Sequence, residues 1–424
     1  MEYINKNLGA YNLHMIKNSN FKSVMIKVFF REPIKKENIT IHNFLTTMLT
    51  FSCKKYNTRR KMALKTQDLY SCTISSSDTR LGNYINTSIS LSVLKDKYTE
   101  EGNLEKSIEF LSDIIYDPNV EKEAFDEKSF NIIMNLACLT LSSIKENASN
   151  YSIIRMLENM DKDSPISYRS FGYLEDLKNI TKENLYKYYK SMLKNNDMDI
   201  FVIGDIDFEI IDPMIRKYFK SKKFKKVSKD FIIPSKKALF RKQIIREENE
   251  SNQSKLAIGC RCHNLTDYER NYPLTLYNII LGGSSDSKLF MNVREKNSLC
   301  YYISSVANKL DNILLIRAGI SRKDFDKCVS LVEKQMNDIR KGKFSDEDIE
   351  KAKEMYLAAI DEIKESESEI ISSYYMIDLL GTDDIETKVK KMNEVTKEEI
   401  IKVAKKVKVD TVYMLEGVNE WWKN

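Results

Sequence analysis

Residues 281–302 read LGGSSDSKLFMNVREKNSLCYY, and this stretch predicts a helix that is followed by a strand. The helix is marked by the spacing of three apolar residues, Leu289, Phe290 and Val293. Arg294 lies near the end of that helix, and Tyr301 begins the strand. A short loop between a helix end and a strand start can bring two polar tips together. A guanidinium and a phenol that converge form a donor pair suited to a peptide carbonyl or to its tetrahedral oxyanion.

A second informative stretch, residues 41–49, reads IHNFLTTML and has helical periodicity. Its apolar stripe consists of Ile41, Phe44, Leu45, Met48 and Leu49. Its polar side consists of Asn43, Thr46, Thr47 and Thr50. Zinc requires imidazole, thiolate or carboxylate ligands, and the polar side offers only amide and hydroxyl groups. His42 directly precedes Asn43, so its side chain points about 100° away from that of Asn43 round the helix. The imidazole therefore does not simply replace a missing ligand.

The first stretch resembles the second-half signature of insulinase/pitrilysin-type zinc peptidases, a family that includes the mitochondrial processing peptidases. In that family the run is approximately LGGG-x-x-SRLF-x-x-x-RE-K-x-G-L-x-Y. Here Lys288 stands where the family often has Arg, and Ser298 stands where it usually has Gly. The resemblance implies that Arg294 and Tyr301 bind the substrate carbonyl at the metal.

Residues 41–49 resemble the A-H-F-L-E-H-M-L of the same family, which contains an inverted H-x-x-E-H zinc motif. In this alignment the two His positions are occupied by Asn43 and Thr47, and the Glu position by Thr46. The resemblance therefore implies a degenerate zinc helix, without two of the metal ligands and without the catalytic base.

The third zinc ligand of the family is a Glu on a later helix, seven residues after the Glu of a Glu-Lys pair. Residues 127–128 fit that pair, which places Met134 at the ligand position, or Asn135 if the register slips by one residue. The resemblance implies that all three ligands are missing. We therefore expect that the chain alone does not hydrolyse peptides by the family mechanism.

The chain also repeats itself at an interval of 215 residues (396 − 181 = 215). Thr181 is suited to cap a predicted helix that precedes the strand Asp199–Gly204. Thr396 caps another, which precedes the strand Asp410–Gly417 and adds a capping box. Two copies of one α/β unit are the economical interpretation of this repeat.

This repeat predicts an α+β fold with two homologous domains. The first domain spans 1–219 and carries the degenerate zinc helix, a linker spans 220–240, and the second domain spans 241–424 and carries the Arg/Tyr motif. The resemblance implies that each domain is a mostly antiparallel β-sheet packed with helices, and that the two face each other as a clamshell. It also implies that the family's substrate-binding strand corresponds to the region around Leu69–Ser76.

Composition narrows the classes of function. The 68 Lys and Arg against 62 Asp and Glu leave a net charge of +6, too mild for a nucleic-acid surface. The chain has no apolar run of membrane-spanning length and no signal peptide at its start. Its seven cysteines form no C-x-x-C pair, and residues 260–263 (CRCH) predict buried strand cysteines in preference to a metal site. These features predict a cytoplasmic protein with free thiols.

The loss of the zinc helix together with the retained donor pair predicts a non-catalytic subunit of a heterodimeric zinc peptidase. Its partner would be a homologous zinc-bearing subunit, and the two chains would form a chamber for unfolded peptides. In this interpretation the chain itself binds no metal or other cofactor, and Arg294 and Tyr301 serve the active site of the partner.

Other interpretations remain open. A catalytically inert structural or peptide-binding scaffold of the same fold would need no donor pair. In that case Arg294 would pair with a nearby carboxylate, and Tyr301 would be a half-buried strand aromatic. A third hypothesis is an enzyme with a different metal site, for which the soft ligands are the cysteines and three scattered histidines, His14, His42 and His263.

Overall fold

The computed structural model describes residues 1–219 and 230–418. These residues form two compact units, each with one large sheet and helices packed on it. The described part of unit 1 comprises residues 1–142, 169–219, 230 and 364–380; that of unit 2 comprises residues 143–168, 231–363 and 381–418. The two sheets and their helices confirm the predicted α+β fold.

The elements follow in chain order. The strands are β1 (Glu2–Asn7), β2 (Asn12–Lys17), β3 (Ser23–Pro33), β4 (Thr73–Leu81), β5 (Tyr84–Leu94), β6 (Val120–Glu121), β7 (Ala124–Phe125), β8 (Asp197–Gly204), β9 (Gln243–Asn249), β10 (Ser254–Cys262), β11 (Cys300–Asn308), β12 (Ile313–Ile320) and β13 (Val407–Gly417). The α-helices are α1 (Ile39–Phe51), α2 (Arg59–Asp68), α3 (Asn103–Tyr116), α4 (Glu127–Ser142), α5 (Ala148–Met160), α6 (Lys182–Asn195), α7 (Phe208–Tyr218), α8 (Asp267–Asn271), α9 (Pro273–Asn278), α10 (Phe325–Arg340), α11 (Asp346–Lys364), α12 (Glu367–Leu380), α13 (Ile385–Glu394) and α14 (Lys397–Lys406).

The two sheets have the same topology, which confirms the internal repeat. Strands in unit 1 lie in the order β1-β2-β8-β3-β5-β4, and those in unit 2 in the order β9-β13-β10-β12-β11. When β1 is left out, the strand order of unit 1 matches that of unit 2. The strands β2, β8, β3, β5 and β4 then correspond in turn to β9, β13, β10, β12 and β11. In each sheet the strand pairs are antiparallel except one, β2 with β8 in unit 1 and β9 with β13 in unit 2.

The predicted caps are also present. The side chain of Thr181 accepts a hydrogen bond from the backbone of Asn184, and that of Thr396 accepts one from Glu399. Each begins a helix, α6 or α14, that leads into a central strand, β8 or β13. Both caps are capping boxes, because Asn184 serves in the first repeat as Glu399 does in the second.

Two helices are exchanged between the chain halves. Unit 2 contains α5 from the first half, and unit 1 contains α12 from the second half. In unit 2, α5 approaches β10 so closely at Gly259 that an added Cβ would lie 2.6 Å from the sulfur atoms of Met156 and Met160. In unit 1, the ring of Tyr375 on α12 stacks on Phe29 of β3 with centroids 4.1 Å apart. Residues 231–240 of the predicted linker belong to unit 2, and residues 220–229 lie outside the described residues.

The strand predicted around Leu69–Ser76 begins later in the chain than Leu69. Leu69 caps the end of α2, and Tyr70 and Ser71 turn the chain with φ of 55° and 58°. Extended structure starts only at Thr73 and continues to Leu81, where β4 forms an edge of the unit 1 sheet. Of the helices in residues 1–219 and 230–418, none combines the length and the apolar composition that a membrane crossing requires.

Candidate functional site

The polar side of α1 is occupied by hydrogen bonds within unit 1. Asn43 donates through Nδ2 to the carbonyl oxygens of Ile39 and Ser170, each at 2.9 Å. Thr46 is buried and donates to Asp78 Oδ1 at 2.9 Å. Amide and hydroxyl groups in such bonds are not zinc ligands. The residues at the first His position and at the base position therefore do not fit the zinc ion that the family binds.

The third ligand position lies on a neighbouring helix. The helix α4 packs against α1 through Phe130 and Phe44, whose ring centroids are 5.2 Å apart. Met134 is half-buried on α4, and Asn135 is exposed. A thioether does not match the nitrogen, thiolate or carboxylate ligands that zinc takes in proteins. Thr47, at the second His position, is exposed and donates to the carbonyl of Asn43 at 3.1 Å.

His42 lies at the centre of a buried polar cluster that the sequence interpretation missed. Its side chain is 1% exposed, and its two ring nitrogens point to different carboxylates. Nδ1 lies 3.2 Å from Glu32, and Nε2 lies 3.2 Å from Asp78. Thr87 contacts Nε2, and Tyr188 donates to Glu32. The cluster fastens α1 to β3, β4, β5 and α6 through a satisfied hydrogen-bond network.

The carboxylates keep His42 charged. Burial alone would lower the pKa of His42, but the hydrogen bonds and charges of Asp78 and Glu32 outweigh it and raise this pKa to about 9. Burial, followed by the charge of Glu32, raises the pKa of Tyr188, so its hydroxyl remains a donor. An imidazolium held between two carboxylates is an ion bridge. It is not a general base that is ready to accept a proton.

This bridge predicts a loss of stability at alkaline pH. The folded pKa of His42 lies above its ordinary value, so its contribution is fully present below about pH 6.5 and is lost as pH rises through about 9. We expect this loss to be on the order of 3 kcal/mol in the free energy of unfolding. Urea denaturation between pH 6 and pH 9.5 measures it.

The variant His42→Gln should lack this pH dependence while keeping that of the other groups. The difference between the two titrations isolates the contribution of His42. As a control, His263→Gln should retain the pH dependence of the unaltered protein. A His42→Gln protein whose stability declines as steeply as that of the parent would show that the bridge is not charged.

Arg294 lies at the end of a π-helical turn that spans Phe290–Glu295. Its side chain is 37% exposed, and its guanidinium lies over the ring of Phe290, 4.4 Å from the centroid. The nearest carboxylate is that of its neighbour Glu295, 3.7 Å away, which is too long for a hydrogen bond. Within the described part of the chain, the guanidinium donates no hydrogen bond. Its five N–H donors are therefore available to a ligand.

Tyr301 lies at an irregularity of β11. The pairing of β11 with β12 shifts between Cys300 and Tyr302, so Tyr301 is the extra residue of a β-bulge. Bulges re-aim side chains and are over-represented next to active sites. Here the residue is 79% exposed, and its hydroxyl has no hydrogen-bond partner among the described residues. The half-buried strand aromatic of the alternative interpretation is not what the structure contains.

The loop between the two donors is tightly defined. Ser298 donates from its backbone to Arg294 at 2.8 Å, and Leu299 donates to Val293 at 3.2 Å. Ser298 has φ of 50°, the left-handed conformation that favours glycine, which explains the usual Gly of the family at this position. Arg294 is close enough to Cys300 to oppose the effect of burial, which raises the pKa of that thiol to about 11. The guanidinium thus acts on the residue that directly precedes Tyr301.

The Cys260–His263 stretch is part of the core of unit 2. Cys260 and Cys262 are both buried in one apolar cluster, and burial raises the pKa of Cys262 to about 12. Arg261, between them, points the other way and donates to Asp161 at 3.1 Å. All seven cysteines lie in the described residues and are free thiols. These two cysteines are therefore structural, as their strand pattern predicted.

Several known proteins similar to this chain are described as proteases or as inactive members of a peptidase family. The family model described as "Peptidase M16 inactive domain" matches residues 179–356. The Bacillus subtilis (strain 168) protein "Probable inactive metalloprotease YmfF" is 28% identical and aligns over 98% of this chain and 99% of its own length. From the same organism, "Uncharacterized zinc protease YmfH" is 26% identical over 28% of this chain and 27% of its own. The crystal structure of a conserved protein from Enterococcus faecalis V583 is 25% identical, with a TM-score of 0.92 over 99% of both chains.

Proposed function

Because the chain is an inactive M16-type, insulinase-like peptidase homologue, we propose that it is the non-catalytic subunit of a two-chain zinc peptidase. A homologous partner subunit binds the zinc and activates the attacking water. This chain supplies Arg294 and Tyr301, which donate to the substrate carbonyl and to the oxyanion that forms from it. The substrate is an unfolded peptide enclosed between the two chains.

The proposal rests on one contrast between two sets of side chains. At the positions of the zinc helix, Asn43 and Thr46 are tied into the hydrogen-bond network of unit 1. In unit 2, Arg294 is half-buried and Tyr301 is exposed, and the donor groups of both make no hydrogen bond within the described residues. Solvent-accessible donors that make no hydrogen bond within the fold indicate binding to a ligand or to another chain more than a contribution to folding.

The chemistry of the pair fits a carbonyl oxygen that gains negative charge. The guanidinium provides a permanent positive charge with several N–H donors, and the phenol provides one O–H donor. Both can contact one oxygen only if the helix end and the strand start are held in a fixed relation. The backbone hydrogen bonds of Ser298 and Leu299 provide that restraint.

Two further observations support the proposal. Bacillus subtilis contains a relative described as inactive and another described as a zinc protease, so both kinds of chain occur in one organism. The edge strand β4 carries Asp78, which bonds to Thr46 of the degenerate helix. A peptide that adds to this edge therefore meets none of the family's zinc ligands in this chain. The peptide that is hydrolysed binds the corresponding edge strand of the partner. The free cysteines support a location in the cytoplasm.

We expect the tagged chain, purified from its own source cells, to be part of a one-to-one complex. The second component should be a protein of similar size with an intact H-x-x-E-H helix. Native mass spectrometry gives the stoichiometry, and peptide sequencing identifies the partner. A monomer, or a homodimer without a zinc-bearing chain, would contradict the proposal and favour an inert peptide-binding scaffold.

A further inference from the structure

Three chemically reactive side chains converge in unit 1, away from the degenerate zinc helix. His14 lies on β2, Asp199 on the neighbouring β8, and Asp378 on α12. One ligand atom from each lies within 4.8 Å of the other two. His14 and Asp199 are completely buried, and Asp378 is half-buried. Among the described residues this is the one group of three such side chains within metal-binding range.

The imidazole of His14 leaves one nitrogen without a partner. Its Nε2 is buried and makes no hydrogen bond within residues 1–219 and 230–418, which is costly for a polar atom. Nε2 lies 3.6 Å from Asp199 Oδ1, beyond hydrogen-bond length. Two ligands of one tetrahedral zinc ion, each about 2.1 Å from the metal, lie roughly 3.4 Å apart. The spacing therefore suits a shared cation better than a direct contact.

Surrounding groups orient these ligands as metal sites require. The Nδ1 of His14 hydrogen-bonds to the hydroxyl of Tyr3 at 2.7 Å, and the imidazole stacks on Phe201 with centroids 4.0 Å apart. A Tyr3 hydroxyl that accepts from Nδ1–H leaves the lone pair of Nε2 free for a metal. Asn12 donates to Asp199 Oδ1 at 2.8 Å. Such outer partners fix the tautomer and direction of metal ligands.

The local charge also favours a cation. Asp197 and Asp199 both pair with the guanidinium of Arg31, and Asp378 lies beside Asp199, so three carboxylates and one guanidinium leave a net charge of −2 (1 − 3 = −2). Arg31 binds Asp199 through Oδ2 at 2.6 Å, whereas His14 lies beside Oδ1. The guanidinium therefore does not occupy the position between the three ligands.

A pocket gives an ion access to the cluster. Its volume is about 460 Å³, and Asp378 is among its lining residues together with Asn5, Asn12 and Arg31. Asn5 donates to Asp378 Oδ1 at 3.3 Å, which leaves Oδ2 free to bind. A polar pocket of this size admits a hydrated ion and leaves room for water to complete its coordination.

We propose that His14, Asp199 and Asp378 bind a divalent transition-metal ion of the zinc or manganese class. One imidazole and two carboxylates suit these ions, whereas magnesium and calcium take oxygen ligands alone. The ion fastens α12, which comes from the second half of the chain, to the sheet of unit 1. This site replaces the expectation that the chain itself binds no metal, and it does not depend on the proposed peptidase partnership.

Metal titration of the purified chain tests this proposal. After removal of bound ions with EDTA, ZnCl₂ or MnCl₂ should bind at one equivalent, as counted by elemental analysis after desalting. Calorimetry should show an affinity at least about tenfold weaker for Asp378→Asn, since one of three ligands has lost its charge. Bound ion should also raise the Tm of the parent protein more than that of this variant.

Two controls keep the result interpretable. His263→Gln and Asp205→Asn change the same residue types elsewhere in the chain and should still bind one equivalent. Asp378→Asn is the decisive variant, because changing a half-buried side chain disturbs folding less than changing the fully buried His14. Less than about a tenth of an equivalent in the parent protein would overturn the proposal. Equal affinity of the parent and Asp378→Asn would do so too.

Discussion

Replacing Arg294 with Ala is expected to lower kcat/KM of the reconstituted two-chain peptidase by about 10²–10³, the usual cost of one transition-state donor. The guanidinium donates no hydrogen bond among the described residues, and its contacts with Glu295 and the Phe290 ring are local, so its removal should leave folding and assembly unchanged. The loss should fall mainly on kcat, because the oxyanion gains its charge in the transition state. Steady-state hydrolysis of an unfolded peptide by the purified complex measures the effect.

Two matched variants separate this role from general charge effects. Tyr301→Phe removes only the donor hydroxyl of an exposed ring, and it too should reduce kcat. Lys296→Ala removes a cation two residues from Arg294 and should leave turnover unchanged. Size-exclusion chromatography shows whether each complex remains intact. If Arg294→Ala assembles normally and hydrolyses peptides at the parent rate, the chain is a scaffold and the donor pair has no catalytic use.

The candidate site was predictable where its residues are close in the sequence. Arg294 and Tyr301 lie in one short stretch, and the predicted helical end and strand start are present at these residues. That Tyr301 is exposed by a bulge could not be predicted, because a bulge is defined by the pairing of two strands. The cluster around His42 was missed for a related reason. Its carboxylates, Glu32 and Asp78, come from separate strands, and only the folded sheet brings them to one imidazole.

The fold shows the same limit. The repeat of caps and strands predicted two copies of one unit, and the matching strand orders confirm it. The exchange of α5 and α12 was not predictable, because an amphipathic pattern shows that a helix packs on a sheet but not on which one. In unit 2 the contact depends on the absence of a side chain at Gly259. In unit 1 it depends on Tyr375, which receives a hydrogen bond from Arg31 at 2.7 Å.

Arg31 is a buried cation whose loss should destabilise unit 1. It is buried and donates to Asp199 at 2.6 Å, and Asp199 is completely buried on β8. Burial would raise the pKa of Asp199, but neighbouring groups, Arg31 and Asn12 among them, hold this pKa down to about 2. The carboxylate therefore stabilises the fold above about pH 4, and its contribution is lost as pH falls toward 2.

The variant Arg31→Met should lower the free energy of unfolding by about 3–5 kcal/mol at pH 7, because it leaves the charge of Asp199 buried without its partner. Urea denaturation in EDTA measures this cost without any contribution from a bound ion. Adding Asp199→Asn to Arg31→Met should recover part of the loss, since the uncompensated charge is then removed. Lys95→Met breaks a partly exposed pair with Asp205 and should cost under about 1 kcal/mol. If Arg31→Met costs no more than this control, the buried network does not hold α12 on the sheet, and its hydrogen bonds merely accompany the packing of Tyr375 on Phe29.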